Sequence, residues 1–282
     1  MDTGTVVVTG AATGIGRRAA VQLARAGRHV IVVTRSDVRA ADVVAEASAA
    51  ARGGGQVTSI PADLADVAQV RAAAERIAAV GPVQAIVNNA AILAIARRRP
   101  RITTDGIEEV FAVNHVAPFV LTTSLRTHLV DDGRVVVAGS RGLTAMPWLR
   151  LDLDDLDSRR RWAPVRAYYR SKLAQLTFAA ELRRRNVTAA ALQIPSVRLD
   201  HERLAAYPRL LQVAYRPKMR LAADPAAVAA RYVELVSGPA PVAGHVDARL
   251  RTVRWPDGTG DAALCARVWS LTTELAGQSC ER

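Results

Sequence analysis

"TVVVTGAATGIG", residues 5–16, decides the fold. Five β-branched residues, Thr5 to Thr9, run directly into a turn built on Gly10, Gly14 and Gly16, and a stretch of helical period follows at once. β-Branched residues favour an extended chain. Glycines at this spacing let the backbone turn tightly, approach a pyrophosphate and pack against the strand, while the helix N-terminus supplies amide donors and the positive end of its dipole. Thr13 and Ile15 lie in the same turn and join the three glycines as candidate cofactor contacts.

Outward from this stretch the same alternation repeats. Apolar β-branched runs predict strands at 5–9, 29–34, 56–60, 83–87, 134–138 and 188–193, with a short seventh near 245–248. Between them, Ala/Leu/Arg stretches predict helices at 14–26, 38–51, 67–80, 105–129, 165–185, 225–236 and 261–276. Strand alternating with helix implies an α/β fold, a doubly wound parallel sheet of about seven strands in one Rossmann domain spanning residues 1–282. Two segments break the rhythm, 142–164 and 195–223. Both follow the C-terminal ends of strands, where such sheets bind ligands, so both are candidate substrate walls.

The composition narrows the function. A formal charge of +12 would suit nucleic acid, but clusters such as Arg97–Arg99, Arg159–Arg161 and Arg183–Arg185 are scattered and lack aromatic interleaving, so no nucleic-acid partner is expected. An acidic substrate or partner remains compatible with the charge. No apolar run reaches the roughly 18 residues of a membrane span, and the N-terminus enters a strand without a charged leader. Cys265 and Cys280 lack metal spacing. The expectation is a soluble cytoplasmic protein with no metal site.

In so arginine-rich a chain the exceptions carry information. Of 38 basic residues only Lys172 and Lys218 are lysine, and only four asparagines occur, Asn88, Asn89, Asn114 and Asn186. Lys172 lies four residues after Tyr168 in "AYYRSKLAQL". On a helix the pair shares one face, about 5–6 Å apart at Cβ. An ammonium beside a phenol favours the phenolate and brings the acid nearer working pH. Ser140, ending the fifth strand, can reach the same space and bond a substrate oxygen. Tyr169 is a rival for the acid.

Other strand ends supply further candidates. Arg35, after the second strand, suits the 2′-phosphate of NADP, where an acidic residue would suit NAD, and NADP(H) is the favoured cofactor. Asp63 and Leu64, after the third strand, suit an adenine-contacting turn, although Asp63 can equally cap the next helix. Asn88 and Asn89 end the fourth strand, where their amides can bond exposed backbone and a ribose. Asn114 sits four residues before Pro118, which frees its carbonyl either to hold a water or merely to kink the helix.

These motifs together resemble the short-chain dehydrogenase/reductase family over nearly the whole chain: "TGAATGIG", "NNAA", Asn114, Ser140 and the Tyr168-x-x-x-Lys172 pair, in that order. The segment "AYYRSKLAQLTFAAEL", the 28-residue step from Ser140 to Tyr168 and the tail "ARVWSLTTELAG" are most similar to the retinol dehydrogenase and protochlorophyllide reductase branch. The resemblance implies Tyr168 as general acid/base and Ser140 as polariser of a carbonyl. It implies Lys172 as holder of the nicotinamide ribose and modulator of Tyr168, and Asn114 as anchor of a relay water. It also implies assembly into a homodimer or homotetramer through the helices carrying Asn114 and Tyr168.

Two features depart from the family. Ala91 stands where "NNAG" has glycine. After strand six the usual Pro-Gly reads Pro195-Ser196, with Leu199 or Asp200 where a threonine would hold the carboxamide. The activity expected is reduction of a ketone or aldehyde, or oxidation of the alcohol, on a bulky apolar small molecule such as a secondary-metabolite intermediate. The alternative is non-redox chemistry (a dehydratase, epimerase or cyclase) or cofactor binding without turnover. Met146, Pro147, Trp148, Leu149 and Trp162, with Leu204, Tyr207, Leu210, Leu211 and Tyr215, can line the substrate pocket or serve as core beneath long loops.

Overall fold

The computed structural model describes residues 4–199, 204, 212, 219–220, 222–238, 242–256 and 258–277. In chain order the main elements are β1 (Thr5–Thr9), α1 (Gly14–Arg25), β2 (His29–Thr34), α2 (Asp37–Ala50), β3 (Gln56–Pro61), α3 (Val67–Ala78) and β4 (Val83–Asn88). There follow α4 (Glu109–Phe111), α5 (Ala117–Ser124), β5 (Leu129–Ala138), α6 (Pro164–Arg184), β6 (Thr188–Leu192), α7 (Pro225–Ser237), β7 (Gly244–Val246) and α8 (Ala262–Leu275). The seven strands form one parallel sheet in the order β3-β2-β1-β4-β5-β6-β7. The order of strand addition reverses between β1 and β4, and the crevice at their C-terminal ends is where such sheets receive ligands.

Strand residues point alternately to opposite faces. Val6 and Val8 pack under α1 and α7 with Leu23 and Tyr232, whereas Val7 packs on the other face with Phe111, Phe119 and Phe178. Because helices cover both faces, β1 is buried along its whole length and reads as a continuous apolar run. The C-terminal helix closes the second face: the Trp269 ring meets Phe119 at 4.8 Å and Phe178 at 5.8 Å between centroids, and Arg185 stacks over it at 4.1 Å. Arg184 donates to the Gly260 carbonyl and Arg185 to Glu181. Arg184 and Arg185 therefore fasten α6 to the C-terminal segment and help to close the fold.

The single helix expected over 105–129 is broken. Residues 112–116 form a π-turn in which the Ala117 N–H reaches back five residues to the Ala112 carbonyl. Pro118 offers no N–H, and the π register carries the chain past it into α5. β5 also begins earlier than Arg134. Asp131-Asp132-Gly133 reads as a turn, yet Leu129 pairs with Val83 and a register shift absorbs the polar residues.

Candidate active site

A cleft of about 610 Å³ opens at the C-terminal ends of β1 and β4. Gly10, Thr13 and Ile15 form one wall, and Arg35, Asp63 and Leu64 extend it. Asn89, Ser140, Tyr168, Lys172 and Pro195 complete it. Sequence-distant candidates thus converge on one crevice.

The glycine turn is shaped for close approach. Gly10 and Gly14 have φ of +66° and +61°, a region other residues enter at a cost. A Cβ on Gly10 would lie 2.7 Å from the Ala90 Cα, and one on Gly16 would lie 2.5 Å from both the Asn89 Nδ2 and the Gly10 carbonyl. Gly14 and Gly16 shape this turn from behind the cleft surface. Asn89 reinforces it, donating from Nδ2 to the Thr9 carbonyl at 3.0 Å and the Gly10 carbonyl at 3.3 Å. Thr13 holds the N-cap of α1 without a side-chain capping bond, and the first turn bears no carboxylate. The donors and dipole there suit a diphosphate.

Asp63 is not the cap of α3. Its carboxylate accepts the Ala65 N–H at 3.0 Å, while Asp66 caps α3 by accepting the Gln69 N–H. Arg35 is joined in the cleft wall by Arg39, which sequence reasoning missed. The signal available was its place in the first turn of α2, directly after the strand end that carries Arg35. Asn88 turns away from the cleft and donates to the buried Thr122 hydroxyl at 3.0 Å.

Lys172 is 1% exposed, and its Nζ lies 5.6 Å from the Tyr168 ring centroid. The ammonium donates to the Ala138 carbonyl at 2.7 Å and to Gln175 Oε1 at 2.8 Å. Burial lowers its pKa to about 7. Tyr168 lines the cleft, whereas Tyr169 packs on the core with its hydroxyl against Gly142, where a Cβ would meet it. Ser140 Oγ accepts the Gly142 N–H at 3.2 Å.

Asn114 sits behind the cleft wall and is fully buried. Its Oδ1 accepts the Ile92 N–H at 2.8 Å, and its Nδ2 donates to the Ile92 carbonyl and the Ser171 hydroxyl, each at 3.0 Å. The π-turn tucks this side chain against the strand-four loop. Its geometry is that of a brace for residues 90–92.

No residue of 142–164, the first expected substrate wall, lines this cleft. Trp148 is exposed, Leu149 packs on the core, and Trp162 Nε1 donates to the buried Glu108 at 3.0 Å. Met146 and Pro147 are likewise absent from the lining. The segment is tied down instead, because Asp157 accepts the Glu108 N–H and pairs with Arg159. In the second segment, Val197 and Leu199 do line the cleft, and a bridge between Val197 and Ala223 holds them. Tyr207, Leu210, Leu211, Tyr215 and Asp200 lie outside the described residues. Leu204 is helical and half-buried. Arg97 and Glu109, an ion pair with Glu109 buried, form an unforeseen part of the lining.

The family model for short chain dehydrogenases matches residues 4–149, more than half of the chain. The chain belongs to that family. Among the similar proteins of this short-chain dehydrogenase is one of Streptomyces sp. (strain C5) named "Putative daunorubicin C-13 ketoreductase DnrU", 33% identical over 98% of this chain and 93% of its own length. Mouse retinol dehydrogenase 12 is 28% identical over 96% of this chain and 86% of its own length, in keeping with the expected branch. The crystal structure of the angucycline C-6 ketoreductase LanV with bound NADP superposes with a TM-score of 0.64 at 25% identity, covering 87% of this chain and 93% of that one.

Proposed function

We propose that this short-chain dehydrogenase is an NADP(H)-dependent reductase of ketones or aldehydes on bulky, largely apolar small molecules, with alcohol oxidation as the reverse reaction. One observation carries the reading: the glycine turn, Arg35, Ser140, Tyr168 and Lys172 line a single cleft. The residues fit the dinucleotide. Gly10, Thr13 and Ile15 would hold its diphosphate, Arg35 and Arg39 its 2′-phosphate, and Asp63, Leu64, Asn89 and Pro195 its remaining edges.

NADPH held in this cleft would supply the hydride for a carbonyl carbon. The protein supplies the proton, which Tyr168 donates to the carbonyl oxygen. Ser140, whose Oγ already accepts the Gly142 N–H, can turn its own proton toward that oxygen. The Lys172 charge beside the ring stabilises the phenolate left behind, and solvent returns its proton. Asn114 serves by fixing the loop at Ile92.

Apolar lining by Ala91, Ile92, Leu93, Val113, Ile194, Val197 and Leu199 supports a bulky apolar substrate. The names of the two ketoreductases support a secondary-metabolite intermediate. The free, buried Cys265 suits a reducing cytoplasm, and no helix among the described residues is long and apolar enough to cross a membrane. Trp269 of α8 packs against Phe119 of α5 and Phe178 of α6, so a homodimer or homotetramer formed through these helices would use the faces that Trp269 leaves open.

The test follows NADPH absorbance against a panel of bulky ketones and aldehydes beside small polar sugars. Consumption with the bulky carbonyls is expected. Tight NADPH binding without turnover of any compound would favour the non-redox alternative, and a preference for sugars would overturn the substrate class.

A further inference from the structure

Gln175 lies one turn beyond Lys172 on α6 and is fully buried. A lysine ammonium only donates, so the amide oxygen must face it, and Oε1 accepts from Nζ at 2.8 Å. The amide's other end, Nε2, is buried without a protein partner. Nothing but the lysine therefore explains the orientation of this side chain. Around Nζ stand the Gln175 amide, the Ala138 carbonyl from β5 and the Tyr168 phenol, and among the described residues no carboxylate pairs with it. The buried Tyr232 phenol of α7 interacts electrostatically with Tyr168. Two neutral acceptors thus do the work of a counter-ion.

We propose that Gln175 is a positioning residue: its carbonyl oxygen, with that of Ala138, holds Lys172 charged and beneath the Tyr168 ring. The inference rests on the proposed function for its catalytic meaning, though not for its test. Desolvation already brings the lysine pKa to about 7. Losing a hydrogen bond to a charged group would lower it further.

The chain offers a direct readout, since Lys172 and Lys218 are its only lysines. Protein labelled with [13Cε]lysine gives two titrating signals, and Lys172→Met assigns them. In cofactor-free wild type the Lys172 signal titrates well below the ordinary lysine range. In Gln175→Met, of similar volume but without an acceptor, its midpoint falls by about one pH unit or more. Gln175→Glu moves it upward. Far-UV circular dichroism and the melting temperature of each variant report an intact fold, and the Lys218 signal serves only as the second lysine to be assigned. An unchanged Lys172 midpoint in Gln175→Met overturns the proposal, whether or not the wild type consumes NADPH. If the midpoints shift while no carbonyl is reduced, the positioning role stands and the proposed reaction falls.

Discussion

Tyr168 and Tyr169 are sequence neighbours with ring centroids 5.1 Å apart, yet only Tyr168 opens onto the cleft while the Tyr169 hydroxyl is pressed against Gly142. Successive helix residues diverge by about 100° around the axis, so one acquires the ligand and the other the core. Tyr168→Phe should lower turnover by at least about a hundredfold, in the range of a lost general acid, with NADPH affinity retained. Tyr169→Phe should keep turnover within a few-fold. Steady-state rates and fluorescence titration of both variants check this.

Arg35 and Arg39 crowd one end of the cleft, on either side of the start of α2. Replacing both with serine should weaken NADPH binding roughly ten- to a hundredfold per lost charge-assisted contact, and leave NADH binding nearly unchanged. The ratio of the two dissociation constants is the measurement.

Lys172 occupies a space with 1% exposure, closed by Ala138 and Gln175. A guanidinium is larger, planar and cannot shed its charge when buried. Lys172→Arg should therefore cost both stability and turnover. A fall in the melting temperature and at least a tenfold loss of kcat are expected in thermal denaturation and rate assays.

His115 follows Asn114 in the π-turn and is fully buried, with a pKa lowered to about 3 by desolvation. Its Nε2 lies 2.9 Å from the Thr272 hydroxyl, which donates to the Val268 carbonyl, so the histidine donates and is neutral. The unfolded chain binds a proton below its ordinary pKa of about 6.5 and the folded one does not. Stability from this group is therefore full above about 6.5 and lost as pH falls toward about 3. At pH ~5 the loss is about 2 kcal/mol. Denaturant unfolding of His115→Leu should show a correspondingly flatter acid limb than wild type.

The sheet was legible because burial on both faces makes β1, β2 and β6 nearly continuous apolar runs, and glycines at 10, 14 and 16 announce the turn. Tyr168, Lys172, Ser140, Arg35 and Asp63 were legible as strand ends or as one helix face. Distant contacts were not. Arg97 meets Glu109, and Trp162 meets Glu108, across separations that no local period encodes. The π-turn escaped because Asn114 and Pro118 fit a kink as well as a change of register, and only packing against Ile92 and Ser171 decides between them.

The most direct test is isotopic. With NADPH deuterated at the transferable C4 position and a bulky apolar ketone, the wild type should yield an alcohol one mass unit heavier, its deuterium on the former carbonyl carbon, and Tyr168→Phe should yield almost none. An unlabelled alcohol, or a labelled one formed equally well by Tyr168→Phe, would contradict hydride transfer with proton donation from Tyr168 in this cleft.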